Sequence, residues 1–160
     1  MSRHYHIRPL AESEFARAYP LIRAVAPELS LNAWLGFARV FTLGETALEG
    51  GIISAQDDGA YIYGLCCYMV LPRLCIRRSL IVEPIVALHV VDPLGPIEAL
   101  LEALEPIARR LGCDSIQLVL PRSEGSEIEA DHPSFDVFRA AGYELDGIKL
   151  SRRLAQPRPA

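Results

Sequence analysis

Leu80-Ile81-Val82-Glu83-Pro84-Ile85-Val86-Ala87-Leu88 is an apolar run of strand length, and the turn-forming Asp92-Pro93-Leu94-Gly95-Pro96 follows it closely. Ile97, Leu100, Leu101, Leu104, Ala108 and Leu111 then recur at three- and four-residue intervals, with Glu98, Glu102, Glu105, Arg109 and Arg110 on the opposite face. That spacing predicts a helix with one apolar stripe laid on a sheet. Proline at the first helical position, Pro96, forgoes a donor that has no partner inside the helix. Gly112 supplies the left-handed residue that ends it. Pro106 removes one backbone hydrogen bond and predicts a bend without ending the helix. Ile116-Gln117-Leu118-Val119-Leu120 completes the unit, so residues 78–120 read as strand, loop, helix, strand.

Working outward, Tyr5 to Pro9 reads as a first strand. Ala11 to Pro27 reads as a helix with Phe15, Ala18, Tyr19, Ile22 and Val25 on one face and a kink or break at Pro20. Ser30 is placed to cap a second helix carrying Leu31, Trp34, Phe37, Ala38 and Phe41. Two readings of this aromatic hairpin stand: its rings pack the core, or some line a pocket for an apolar or acyl substrate. Gly50-Gly51 opens a strand over 52–55, and Asp57-Asp58-Gly59 is a strong turn signal before a strand over 60–71. Residues 72–79 connect to the strand at Leu80. Residues 122–133 are polar and acidic and read as an exposed loop. Ser134 is placed to cap a short helix with Phe135, Phe138 and Ala141, and after Gly142 two short strands are expected, Tyr143–Leu145 and Ile148–Leu154.

The chain has 160 residues, of which 51% are hydrophobic and 22% charged, the composition of an ordinary globular domain. One domain is expected over 1–154, with a mobile tail over 155–160. A net charge of -4 provides no electrostatic footprint for nucleic acid. Arg73, Arg77 and Arg78 form a local basic cluster, either solvated charge or a contact for an anionic ligand. The apolar window 60–71 falls short of the roughly 20 residues that span a bilayer. The N-terminus lacks a signal peptide's apolar core, so a cytoplasmic protein without membrane partners is expected. Cys66, Cys67, Cys75 and Cys113 show no C-x-x-C spacing and read as reduced, buried thiols, the adjacent pair on opposite faces of one strand. His4 and His6 share a face but have no further ligand nearby in sequence, so no metal site is assigned.

The element order and two segments resemble the GNAT superfamily of acyl-CoA-dependent N-acyltransferases. Ala99-Leu100-Leu101-Glu102-Ala103-Leu104 leading to Arg110-Leu111-Gly112-Cys113-Asp114-Ser115-Ile116 is similar to the helix and strand behind that family's pyrophosphate loop. Phe138-Arg139-Ala140-Ala141-Gly142-Tyr143 is similar to its Tyr-x-x-x-Gly-Phe segment. The resemblance implies an α/β (α+β) fold: a mixed, mostly antiparallel central sheet with helices on both faces. Its central strands splay apart, and acetyl-CoA or another acyl-CoA lies in the gap. It also implies acyl-CoA contacts at Val86, Ala87 and Leu88 on the strand, at Leu94, Gly95 and Ile97 where the helix starts, and at Phe138. The implied reaction is transfer of the acyl group to an amine of a small molecule or peptide, and a homodimer is expected.

Both functional motifs depart from the family. Of its Gln/Arg-x-x-Gly-x-Gly/Ala loop only Gly95 matches; Asp92 brings negative charge, Ile97 replaces a small residue, and Pro93 and Pro96 lack an N–H. Phe138 stands where the family's proton-donating tyrosine is expected and has no proton to give. For proton transfer the candidates are Glu83, inside the apolar run, and His89 near its end. Each has a structural alternative: Glu83 facing solvent, His89 as a satisfied histidine. Tyr143 aligns with the family's packing phenylalanine. Two functions follow from the resemblance and its departures: a divergent N-acyltransferase, or an inactive binding or interaction module that keeps the fold but has lost acyl-CoA binding. An unrelated α+β ligand-binding domain is a third, weaker reading.

Overall fold

The computed structural model describes residues 4–42, 49–71, 78–88, 94–120 and 135–146. The hairpin between β2 (Gly50–Gln56) and β3 (Ile62–Leu71) forms where the turn residues stand. The Asp57 carboxylate accepts the N–H groups of Gly59 and Tyr61, both at 3.0 Å, and so replaces water on a tight turn. Ala60 closes it with φ at 60°, so the second strand starts at Ile62, not at Ala60. With β1 (His6–Pro9), β4 (Ser79–Ala87) and β5 (Ser115–Leu118), these strands form one sheet in the order β1-β2-β3-β4-β5. Every neighbouring pair is antiparallel except β4 with β5.

Alternation divides the side chains between two faces. Cys66 joins the cluster under α3 (Gly95–Arg110), together with Ile53, Leu80, Val82 and Ile85. Cys67 joins the cluster under α1 (Phe15–Val25) and α2 (Leu31–Thr42), together with Ile52, Leu65 and Val86. The adjacent cysteines therefore face opposite ways, as expected, and the fold is a mixed, mostly antiparallel sheet with helices on both faces.

The α3 stripe is buried as its spacing predicts, with Leu100 and Leu104 fully enclosed. Each such leucine stabilises the fold by about 2 kcal/mol through the apolar area removed from water. Pro106 is accommodated inside the helix. At the end, Gly112 has φ 68°, and Cys113 N–H reaches back to the Ala108 carbonyl at 2.9 Å, which satisfies an orphan acceptor of the last turn. Gly142, φ 85°, ends α4 (Asp136–Ala140) in the same way, with Tyr143 N–H on the Phe138 carbonyl at 2.9 Å.

The α1 segment begins later than its periodicity indicates: Glu12–Glu14 form a 3-10 turn first, and α1 then runs unbroken through Pro20. Buried Gln56 holds that start in place, donating to Glu14 at 3.1 Å and Ser54 at 2.9 Å and accepting from Arg8. Ser30 caps α2 as expected, its hydroxyl accepting Ala33 N–H at 3.2 Å. Tyr143–Leu145 corrects the sequence reading, because it forms no strand. Glu144, Leu145 and Asp146 all face solvent, Leu145 at 70% exposure, so no alternating apolar face exists to be buried. Ser134 and the strand expected at Ile148–Leu154 lie outside the described residues, as do Arg73, Arg77 and Cys75.

Candidate active-site cleft

Strand β4 changes character at Val82. Before that point it pairs with β5 from Ser79↔Ser115 to Val82↔Leu118, with the Ser79 and Ser115 hydroxyls 2.8 Å apart and Val119 N–H on the Val82 carbonyl at 3.0 Å. Beyond it, Glu83 and Pro84 together stand opposite the single residue Cys67, a bulge in the ladder with β3. A bulge bends and twists its strand. Here the bend coincides with the end of pairing to β5, while pairing to β3 continues, since Leu88 N–H reaches the Tyr63 carbonyl at 2.7 Å. In an antiparallel ladder successive residues turn their polar groups to alternate sides. Leu88 and Val86 therefore address β3, and the N–H and C=O groups of Ile85 and Ala87 address the gap. No partner strand lies on that edge among the described residues.

A cleft of about 380 Å³ occupies the gap. Ile85, Val86 and Ala87 form its floor, and Leu94 and Ile97 of the α3 start, with Val137 and Phe138 of α4, form one wall. Leu21, Ala24 and Val25 of α1 form the other. Because α3 and α1 cover opposite faces of the sheet, the cleft passes through the sheet. Gly64 lets the α3 start sit this close: a Cβ there would lie 3.2 Å from Pro96 Cβ and from Leu100 Cδ1, and 3.1 Å from the Val86 carbonyl oxygen. The first turn of α3 carries the positive end of a helix dipole, but Pro96 has no N–H and Glu98 N–H is bonded to the Leu94 carbonyl at 2.9 Å.

Of the expected acyl-CoA contacts, Val86, Ala87, Leu94, Ile97 and Phe138 converge on this cleft. Leu88 packs beside Val86 in the α1 and α2 cluster, and Gly95 opens α3. Glu83 is exposed at the bulge and is not among the wall residues. His89, Asp92 and Pro93 lie outside the described residues. The α1 wall and Val137 escape the sequence reading. Leu21, Ala24 and Val25 follow a three- and four-residue spacing, but that spacing marks a face without saying what lies opposite.

The rings of the aromatic hairpin pack rather than lining the cleft. Phe15 and Trp34 are buried, Trp34 donates its indole N–H to the Phe15 carbonyl at 2.7 Å, and Phe37 stacks outward on Trp34. Tyr143 packs on the α3 side, where burial, then Cys66 and Glu105, push its phenol up to about 12. Its proton is held more tightly than an ordinary tyrosine's. Burial pushes the Cys67 thiol up to about 12 and raises Cys66 as well, so neither is a thiolate nucleophile at neutral pH. His6 does gain a carboxylate, Asp58 Oδ1 at 2.7 Å, which the turn brings to it. No group of three or more metal-ligating side chains forms among the described residues, and no described helix is long and apolar enough to cross a membrane.

No protein-family model matches the sequence, and no curated protein matches it. Solved structures do match. An aminoglycoside N-acetyltransferase in complex with CoA superposes with a TM-score of 0.73 at 18% identity, over 96% of this chain and 98% of the other. Glucosamine-6-phosphate N-acetyltransferase from Arabidopsis thaliana gives 0.68 at 15% identity, over 96% and 100%. A transcriptional regulator from Bacillus halodurans gives 0.72 at 16% identity, over 94% and 100%. At these identities the likeness is one of fold, and the chain has the GNAT fold.

Proposed function

We propose that the protein is an acyl-CoA-dependent N-acyltransferase that moves an acetyl or longer acyl group to an amine of a small molecule or peptide. One observation carries this reading: β4 leaves β5 at Val82 and opens an apolar cleft through the sheet, with a polar backbone edge along its floor. A pantetheine arm has the complementary make-up, with amide groups for the open edge at Ile85 and Ala87 and a chain for Val86, Leu94, Ile97 and Phe138. The α3 start faces the phosphates with fewer N–H donors than a full helix terminus, so strand contacts supply the larger share of affinity.

In the reaction, the amine nitrogen attacks the thioester carbonyl carbon and the carbon–sulfur bond breaks, with the electron pair leaving on sulfur. Glu83 and His89 are the proposed acceptors of the ammonium proton, Glu83 through water because it stands outside the cleft walls. Phe138 gives no proton, so the departing thiolate takes one from water. A homodimer and a cytoplasmic location belong to the same proposal and are checked by light scattering and cell fractionation.

Titration calorimetry with acetyl-CoA and with CoA at physiological salt tests the reading. Micromolar binding that Ala87→Trp abolishes, followed by release of free thiol with a panel of amines, is the expected result. No heat at millimolar ligand overturns it. Pro96 in the α3 start and Phe138 in the tyrosine position favour the second reading, a GNAT-fold binding module without catalysis. No heat with acetyl-CoA or CoA, from protein that a melting curve shows to be folded, identifies that case, in which acyl-CoA binding has been lost.

A further inference from the structure

Resting on the acyl-CoA reading, we infer that the α1 end of the cleft is an acyl-chain pocket, which takes a linear acyl group several carbons long in preference to acetyl. The helix dipole at the α3 start favours the phosphate end of the ligand on that face of the sheet. A ligand threaded through the gap then presents its acyl end to the opposite face, where Leu21, Ala24 and Val25 stand above Val86. No polar side chain joins that end of the lining among the described residues. In the last turn of α1 the Ile22 carbonyl is already taken, by Ala26 N–H at 2.9 Å.

An amine acceptor held against the Leu21, Ala24 and Val25 side chains would find no hydrogen-bond partner among them to replace water. An alkyl chain needs none and gains by burial. Ala24, with its small side chain, keeps the passage wide, and Val25 stays 39% exposed among the described residues. Acetyl brings only a methyl group to a cleft of about 380 Å³ and leaves this wall wet. Each further methylene buried here tightens binding about fourfold.

The test is a binding series on the whole chain with acetyl-, butyryl-, hexanoyl- and octanoyl-CoA, repeated with the same acyl groups on pantetheine. Affinity is expected to climb by about fourfold per methylene, until the chain emerges past Val25. In Ala24→Phe the ratio of octanoyl to acetyl affinity is expected to fall towards one, and in Val25→Asp below one. Both positions are exposed on α1, so folding survives in at least one variant, as a melting curve verifies. Equal affinity across a series that binds overturns the pocket and leaves acyl-CoA binding standing. Chain-length dependence with the pantetheine thioesters but no binding of any CoA ester overturns the CoA reading and keeps the pocket. No binding in either series overturns both.

Discussion

The first half of β4 is held along both edges and the second half along one. From Ser79 to Val82 the strand is enclosed by β3, β5 and α3; from Ile85 to Ala87 it keeps β3 and presents its other edge to a cleft. The same strand thus provides scaffold and binding surface, separated by one bulge. Enclosed backbone contributes stability, whereas an open edge leaves hydrogen-bonding capacity for a ligand.

Substitutions in the two halves should fail in different ways. Leu80→Ala, in the enclosed half, should lower the unfolding free energy by about 3 kcal/mol, seen as a lower urea midpoint at constant slope. A loss under about 1 kcal/mol would deny that half its scaffold role. Ala87→Trp, in the open half, should cost on the order of a hundredfold in acyl-CoA affinity while moving the urea midpoint little. Equal damage to stability would show that the gap is packed rather than open. Phe138→Tyr adds a phenol to the cleft wall and should raise turnover of a responsive amine by about tenfold, measured as initial rates of thiol release. Unchanged rates would place that ring away from the leaving sulfur.

Ser115→Ala should cost about 1 kcal/mol by leaving the buried Ser79 hydroxyl short of its partner, and the double variant with Ser79→Ala should recover part of this. No recovery in the double-mutant cycle would mean that the hydroxyls do not couple the strands. The smallest effect is absent at neutral pH. Cys67 rises from 9.0, and Tyr143 from 10.0, to about 12 on folding, so the unfolded chain loses those protons first as pH rises. The stability they contribute is whole below about pH 9 and is lost towards pH 12. Melting temperatures across that range should fall, and Tyr143→Phe should fall less above pH 10; parallel curves would show that the phenol is not buried in solution.

Local rules made much of this legible in advance. The α3 stripe, its glycine end, the Asp57-Asp58-Gly59 turn and the opposed cysteines each follow from spacing or from the conformational range of one residue, and the structure repeats them. Five of the residues that the family resemblance named as acyl-CoA contacts, from Val86 to Phe138, line the cleft. What escaped depends on distant parts of the chain. Periodicity marked an apolar α1 face that includes Val25, but Ala24 and Val25 share a cleft with Val137 only through the tertiary fold. Glu83 faces solvent, one of the two readings its place in the apolar run left open, but that run contains no sign of which residue a ladder will skip. Tyr143–Leu145 looked like a strand by composition, but a strand also needs a neighbour.

Counting along β4 gives the bulge a further meaning. Even-numbered Leu80 and Val82 lie on the α3 side, and then odd-numbered Ile85 and Ala87 do. Parity switches once, so the strand reads as a regular one into which a single residue has been inserted. Such an insertion is reversible. Deleting Pro84 would leave every side chain on its present face while straightening the strand, and a straightened β4 could continue alongside β5. The opening through the sheet would then be the product of one added codon, and its removal the most economical way to close it.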